Sequence, residues 1–300
     1  MDTPLYWLAR ALVAIIQALP LNLVARLGRW GGALAYGLDA RHRRVALQNL
    51  TTCFGNEKSP EEIRAIAREN YRRIGENFVC AIKTAAMRFE NLRPHVEFVG
   101  FEQLPKANGG QPPPNVVVAI GHFGNFELYA RFGQFRLEYQ CATTYRALKH
   151  PAFDRLLQEL RARSGCLFFE RRADGPLLRA AMQRQGIGLG LLTDQSTAGL
   201  RGPFLGHDCS TTLAPAIFAL RYDCSLHTAF CFRVAPAKWQ IELGGSIPTH
   251  ENGRPRSSEA IMRDVNREFE AAVRRDPANW FWVHRRWKPA EPKAKMKHRG

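Results

Sequence analysis

The sequence has no pair of cysteines at C-x-x-C spacing, and its seven cysteines are odd in number and scattered from Cys53 to Cys231. That pattern excludes a zinc ribbon and a disulfide framework, and it fits a reducing compartment in which most thiols act as small buried hydrophobes. Glycine patterns for a P-loop or a dinucleotide fold are absent, as is H-E-x-x-H, so neither a nucleotide nor a catalytic metal is called for. Acid is in short supply, 27 Asp and Glu against 43 Lys and Arg, which leaves a formal charge of +16. Such a chain is drawn to something anionic: nucleic acid, an anionic membrane surface, or a phosphorylated or acidic partner. An uninterrupted apolar run of about 20 residues, the length a spanning helix needs, is also missing.

What is present at the N terminus is a shorter apolar stretch, residues 11–24, apolar apart from Gln17 and Asn22 and interrupted by Pro20. With Arg10 before it and Arg26, Arg29, Arg41, Arg43 and Arg44 after it, the stretch reads as a membrane anchor or an interfacial helix. A buried helix is the second reading, and a signal peptide the third, because no compact polar cleavage region follows.

At 300 residues and 45% hydrophobic content the chain can bury a sizeable core, which fits one large α/β domain with an appendage. The pattern divides into an N-terminal anchor or interfacial segment (1–35), a helical appendage (36–100), an α/β catalytic domain (101–288) and a basic tail (289–300). Ser59-Pro60-Glu61-Glu62 opens a helix with a hydroxyl N-cap, Pro at the first helical position and Glu at the capping-box position. Pro105, Gly109, Gly110 and Pro112 to Pro114 make a surface loop. Beyond it, short apolar runs alternate with helices, the sign of a mixed, mostly parallel sheet flanked by helices. Strands are expected at Val116–Ile120, Tyr139–Thr144, Leu167–Phe169, Ile187–Leu192, Ser225–Val234 and Gln240–Ile247. Helices are expected near Asn125, over Pro151–Arg163 and Gly175–Gln185, from about Thr212, and around Ile261, Val265, Phe269 and Val273. A Gly-rich loop is expected after Asp194.

His122 stands where the first buried strand ends, the edge at which active sites gather in open α/β sheets. Glu127 follows five residues on, in the first turn of the next helix. The turn can set that carboxylate against one imidazole nitrogen while the other faces the cleft as a general base. That is the base-and-orienter half of a hydrolytic triad without a protein nucleophile, completed by a substrate hydroxyl. His-x4-acid alone is weak, since about 0.8 such pairs are expected by chance in a chain of this composition. Placement at a strand end between Gly121 and Gly124, with Phe123 and Phe126 beside it, favours chemistry over a structural histidine.

The block Gly121-His122-Phe123-Gly124-Asn125-Phe126-Glu127 resembles the His-x4-acid motif of the lysophospholipid acyltransferase superfamily. Nearly the whole chain is similar to its bacterial lipid A late acyltransferase branch. Supporting blocks follow in order: the helix from His150 to Ser164, the strand end Leu191 to Gln195, the loop Gly202 to Gly206 with Thr211 and Thr212, and Trp280 to Lys288. The motif departs from members that carry tryptophan where Phe126 stands. The resemblance implies transfer of a fatty acyl chain from acyl carrier protein to a hydroxyl of a phosphorylated, acylated glucosamine disaccharide, on the cytoplasmic side of the inner membrane. It implies His122 and Glu127 as the catalytic pair, Arg163 near the reaction centre, Asp194 in support, and Gly124 and Asn125 as supporting or substrate-binding positions, with no metal and no cofactor. Of the two arginines ending that helix, Arg161 is expected to point away from the cleft when Arg163 faces it.

Plainer roles exist for each residue: Arg163 as a solvated last-turn cation, Asp194 as a loop cap, Thr211 and Thr212 as N-caps, the tryptophans as core or as a headgroup-level belt. An acceptor such as a phosphatidyl-sugar, and coenzyme A as donor, stay open. A basic nucleic-acid-binding protein is the rival from another class, though no helix-turn-helix, RRM or zinc signature appears. A thiol hydrolase using Cys141 or Cys166 is the rival among enzymes.

Overall fold

The computed structural model describes residues 4–196 and 199–287; the basic tail lies outside them. Four helices come first: α1 (Pro4–Ala18), α2 (Leu21–Leu38), α3 (Ala40–Phe54) and α4 (Pro60–Ala86). Pro20, the N-cap of α2, lacks the N–H that a continuous helix would use, so the apolar stretch breaks there. Ser59 accepts from the Glu62 N–H while the Glu62 carboxylate accepts from the Ser59 N–H, the reciprocal cap that the spacing predicts.

Helix α2 lies unusually close to α4. A Cβ on Gly28 would stand 2.7 Å from the Gly75 carbonyl oxygen, and one on Gly32 would stand 2.1 Å from that of Tyr71. Only glycine allows backbones to approach so closely. The opposite side of α2 carries Leu23, Leu27, Trp30 (80% exposed), Leu34 and Leu38, and α1 likewise exposes Trp7, Leu8, Leu12 and Ile15. Neither helix contains an acidic residue.

No helix among the described residues is long and apolar enough to cross a membrane. The N-terminal apolar anchor is therefore corrected to a two-helix arrangement with one apolar face outward. The other face of α2 is committed to the glycine seam and to Arg29, which pairs with Glu69 at 2.9 Å and with the fully buried Glu76 at 3.4 Å.

Seven strands form the main sheet in the order β1-β9-β8-β2-β5-β3-β4. They are β1 (Val96–Val99), β2 (Val116–Ile120), β3 (Gln140–Tyr145), β4 (Leu167–Glu170), β5 (Ile187–Leu192), β8 (Ser225–Ala235) and β9 (Lys238–Ile247). Only the β8–β9 pair is antiparallel. The strand β1 reaches back into the stretch read as appendage. The expected Gly-rich loop contains instead an antiparallel hairpin, β6 (Leu200–Phe204) with β7 (His207–Thr211).

Two cores lie on the two faces of the sheet. Alternation divides β2 between them: Val117 and Ala119 join one core, Val116, Val118 and Ile120 the other. The first core is closed by α3, the first half of α4, α8 (Gly175–Met182), α9 (Ala214–Arg221), α10 (Ser258–Arg275), Trp280 and Trp282. The second is closed by α2, Cys80 near the end of α4, and the segment from Leu128 to Tyr139. Between β3 and β4 runs α7 (Pro151–Ala162). Where a helix was expected from Asn125, a 3-10 turn (Phe126–Arg131) leads into a single α-turn, Phe132–Phe135.

Candidate active site

Register places the site. In the parallel pair β2–β5, Ile120 is opposite Leu192, so the residues two positions beyond each, His122 and Asp194, emerge side by side. The Thr193 N–H donates to the Ile120 carbonyl at 3.0 Å and carries the pairing to the last turn of chain before them. His122 Nδ1 is 2.7 Å from Asp194 Oδ1, and the His122 backbone N–H donates to Asp194 Oδ2, also at 2.7 Å. A third donor, the Trp280 indole N–H, reaches Oδ2 at 2.8 Å. Burial disfavours charge on Asp194, but the neighbouring His122 and these three N–H donors outweigh it and hold the carboxyl below its ordinary range.

With Nδ1 donating to a carboxylate, Nε2 is left as the imidazole's acceptor. It has the Gln195 amide nitrogen at 3.3 Å, and the ring packs against Phe126 and Phe281. Gly124 makes the turn after His122 possible. It sits at φ +50°, and a Cβ there would meet the Cys231 carbonyl oxygen at 2.5 Å. The Asn125 side chain is buried, with neither amide atom hydrogen-bonded among the described residues.

Among the described residues, Glu127 is not hydrogen-bonded to His122. Both of its carboxylate oxygens accept from Arg161, Oε2 from Nε at 3.0 Å and Oε1 from Nη2 at 2.6 Å. The 3-10 turn that replaces the expected helix carries Glu127 toward α7, and the orienting carboxylate comes from a strand 72 residues downstream. Arg163 is likewise corrected. Helix α7 ends at Ala162, and Arg163 is an exposed C-cap whose carbonyl accepts from Arg131 at 3.4 Å. Of the two arginines, Arg161 is the one that lines the cleft, lying over the Phe168 and Tyr145 rings. Sequence reasoning also passed over Gln195, Trp280 as an indole donor, and Arg131. The last sits with Nη2 against the final carbonyls of α4, 2.7 Å from Thr84 and 3.0 Å from Ala85.

His122, Glu127 and Arg161 line one cavity of about 1100 Å³, above the roughly 300–1,000 Å³ of ordinary small-molecule sites. Its wall is largely apolar, with Phe78, Phe98, Phe101, Val118, Phe132 and Ile241 among the lining residues, and Arg146, Arg171, Arg179 and Arg221 line it as well. Cys141 and Cys166 also line it, but neither is hydrogen-bonded to His122 among the described residues. Bonding to Cys141, together with burial, pushes the Cys166 thiol far up, the reverse of what a thiolate nucleophile requires. No group of three or more metal-ligating side chains occurs among the described residues.

Known proteins resemble the chain over nearly its whole length. The chain is 25% identical over 299 residues to the lipid A biosynthesis myristoyltransferase of Escherichia coli, covering 96% of this chain and 89% of the relative. It is 22% identical over 286 residues to the lipid A biosynthesis lauroyltransferase of the same organism, covering 95% and 91%. Lipid A biosynthesis acyltransferase 1 of Shigella flexneri is 25% identical over 299 residues, covering 96% and 89%. Residues 1–289 match the family described as bacterial lipid A biosynthesis acyltransferase, and the chain belongs to it.

Proposed function

We propose that this member of the bacterial lipid A biosynthesis acyltransferase family moves a fatty acyl chain from an acyl thioester to a hydroxyl of a lipid A precursor, with His122 as general base. The donor in this reading is acyl carrier protein, the acceptor is a glycolipid, and no metal or cofactor takes part. The observation that carries it is the His122–Asp194 pair at the C-terminal ends of the central parallel strands β2 and β5, with the imidazole in the wall of a large apolar cavity.

Asp194 holds the Nδ1–H tautomer, so that Nε2 accepts the proton of the acceptor hydroxyl as its oxygen bonds to the thioester carbon. The tetrahedral oxyanion then collapses, the carbon–sulfur bond breaks, and the imidazolium returns the proton to the departing thiolate. Asp194 stays ionised and stabilises the imidazolium. Arg161, fixed by Glu127, offers its remaining guanidinium N–H groups to an oxyanion or an anionic acceptor group in the cavity. Glu127 thus contributes through Arg161.

Work on a lipid acceptor requires access to a bilayer, and we assign that contact to the exposed apolar face of α1 and α2. Tryptophan at that face, arginine beside it and the absence of acid suit the interface of an anionic leaflet, here the cytoplasmic side of the inner membrane. Helices α1 and α2 then serve as the interfacial segment of the catalytic domain.

The test is transfer of labelled acyl chain from acyl carrier protein to an acylated lipid A precursor, followed by mass spectrometry. Wild-type protein adds one acyl group, and folded His122→Ala loses the activity. Transfer by His122→Ala at the wild-type rate would remove His122 as the base. Co-flotation with vesicles containing phosphatidylglycerol, lost in Trp30→Ser/Leu34→Ser, checks the membrane assignment separately.

A further inference from the structure

The segment after α10 comes from the far end of the chain, yet it reaches the floor of the cavity. The helical N-terminal part holds it by the backbone. The Asn70 amide donates to the carbonyls of Ala278 and Trp280, and the Asn49 amide donates to those of Trp282 and His284, both at 2.8 Å. On its other side the segment meets the histidine turn: the Gly124 N–H donates to the Asn279 carbonyl at 3.2 Å, and Phe123 and Trp280 form a β-bridge. At the end of this chain of contacts, Trp280 gives its indole N–H to Asp194.

We infer that Trp280 is a positioning residue for the His122–Asp194 pair, its indole N–H fixing the plane of the carboxylate so that Oδ1 faces His122 Nδ1. This deepens the reading of His122 as base and rests on it. Asp194 has two oxygens with different duties. Oδ2 takes two donors, the His122 backbone and the indole, while Oδ1 takes the imidazole, its one donor among the described residues. Without the indole the carboxylate can rotate about its Cβ–Cγ bond and share its charge differently with the ring. The neighbouring Trp282 is an internal control. It is equally buried and packs edge-on at 4.7 Å, but its indole N–H donates to the Pro277 carbonyl within its own segment.

Other charged and titratable groups around the pair are accounted for. Glu127 is paired with Arg161 from α7. Arg286 donates to Ser210 and Thr211 and senses the Asp194 charge, and the Tyr129 hydroxyl, also sensitive to that charge, is bonded to the Ala229 carbonyl and the Cys231 N–H. Losing the indole donor therefore concentrates negative charge on the carboxylate facing His122 and favours the imidazolium.

The test compares Trp280→Phe with Trp282→Phe in the full chain. Trp280→Phe lowers kcat about tenfold with KM for the acyl donor unchanged, and it moves the acid limb of the pH–rate profile upward by about half a unit to one unit. Trp282→Phe lowers Tm but leaves kcat and the profile in place. A Trp280→Phe protein with wild-type kcat and pH profile overturns the inference, as does a loss of equal size and shape in both variants. A second measurement needs neither variant to fold. In 15N-indole spectra, Asp194→Asn shifts the Trp280 N–H resonance and leaves that of Trp282 unmoved; an unmoved Trp280 signal overturns the inference. Should His122→Ala keep full activity, the reading of His122 as base falls while the indole result stands by itself.

Discussion

Two carboxylates bear on the candidate site, Asp194 through His122 and Glu127 through Arg161, and they are held in different ways. Asp194, on the sheet floor, is buried and accepts three N–H groups, one of them from the imidazole. Glu127, on the wall facing α7, is a quarter exposed and bound to one guanidinium. In sequence the second is the histidine's neighbour; in space the first is. The difference teaches that a short motif can pick out a histidine at a strand end while its own acid pairs elsewhere. Which carboxylate faces the ring depends on strand register, and a distance of five residues along the chain does not decide it.

The largest expected effects fall on the floor. His122→Ala should lower kcat by about 10²- to 10⁴-fold, and Asp194→Asn should approach it, because an amide no longer holds the Nδ1–H tautomer or offsets the imidazolium. Steady-state acyl transfer with folded proteins checks both. A mild Asp194→Asn beside a crippling Glu127→Gln would reverse the comparison. Next comes the wall. Glu127→Gln and Arg161→Met are each expected to cost about tenfold to a hundredfold, and the double variant is expected to be little worse than either single one, since the two act as a unit.

A third way to sharpen the contrast is acid titration of stability. The carboxyl of Asp194 is depressed in the folded protein, so its contribution is fully present above the unfolded value of about 3.9 and is lost as pH falls through the lower folded value. Denaturant unfolding between about pH 5 and pH 2 should therefore lose stability less steeply in Asp194→Asn than in wild type. The smallest effect belongs to Arg163→Ala: an exposed C-cap side chain should change transfer by less than about twofold. A loss as large as that of Arg161→Met would return Arg163 to the cleft.

Much of the fold was legible because its signals are local. Val116–Ile120 and Ile187–Leu192 are β strands over the residues that their apolar runs mark, and Ser59 caps α4 by the reciprocal pair its spacing announces. The hairpin Leu200–Phe204 with His207–Thr211 was not legible, because its glycines read as loop when no partner strand is known. The site was half legible for the same reason. His122 stood out at a strand end, whereas its bond to Asp194 depends on Ile120 lying opposite Leu192, a register that only the folded sheet reveals. For the two arginines at the end of α7, the resemblance points to Arg163 and no local signal in the sequence favours Arg161; in the fold α7 stops at Ala162, Arg163 is an exposed C-cap, and Arg161 binds Glu127.

The glycine seam between α2 and α4 has a consequence for how the molecule could meet its lipid. With Gly28, Gly32 and Gly75 meshed backbone to backbone, α2 cannot roll about its own axis, so the seam acts as a keyway that fixes the compass bearing of Trp30 and Leu34. An alanine at position 32 would jam that keyway and tilt the greasy flank. The enzyme would then be expected to sit askew on its two-dimensional substrate pool, with each catalytic residue intact and the mouth aimed away.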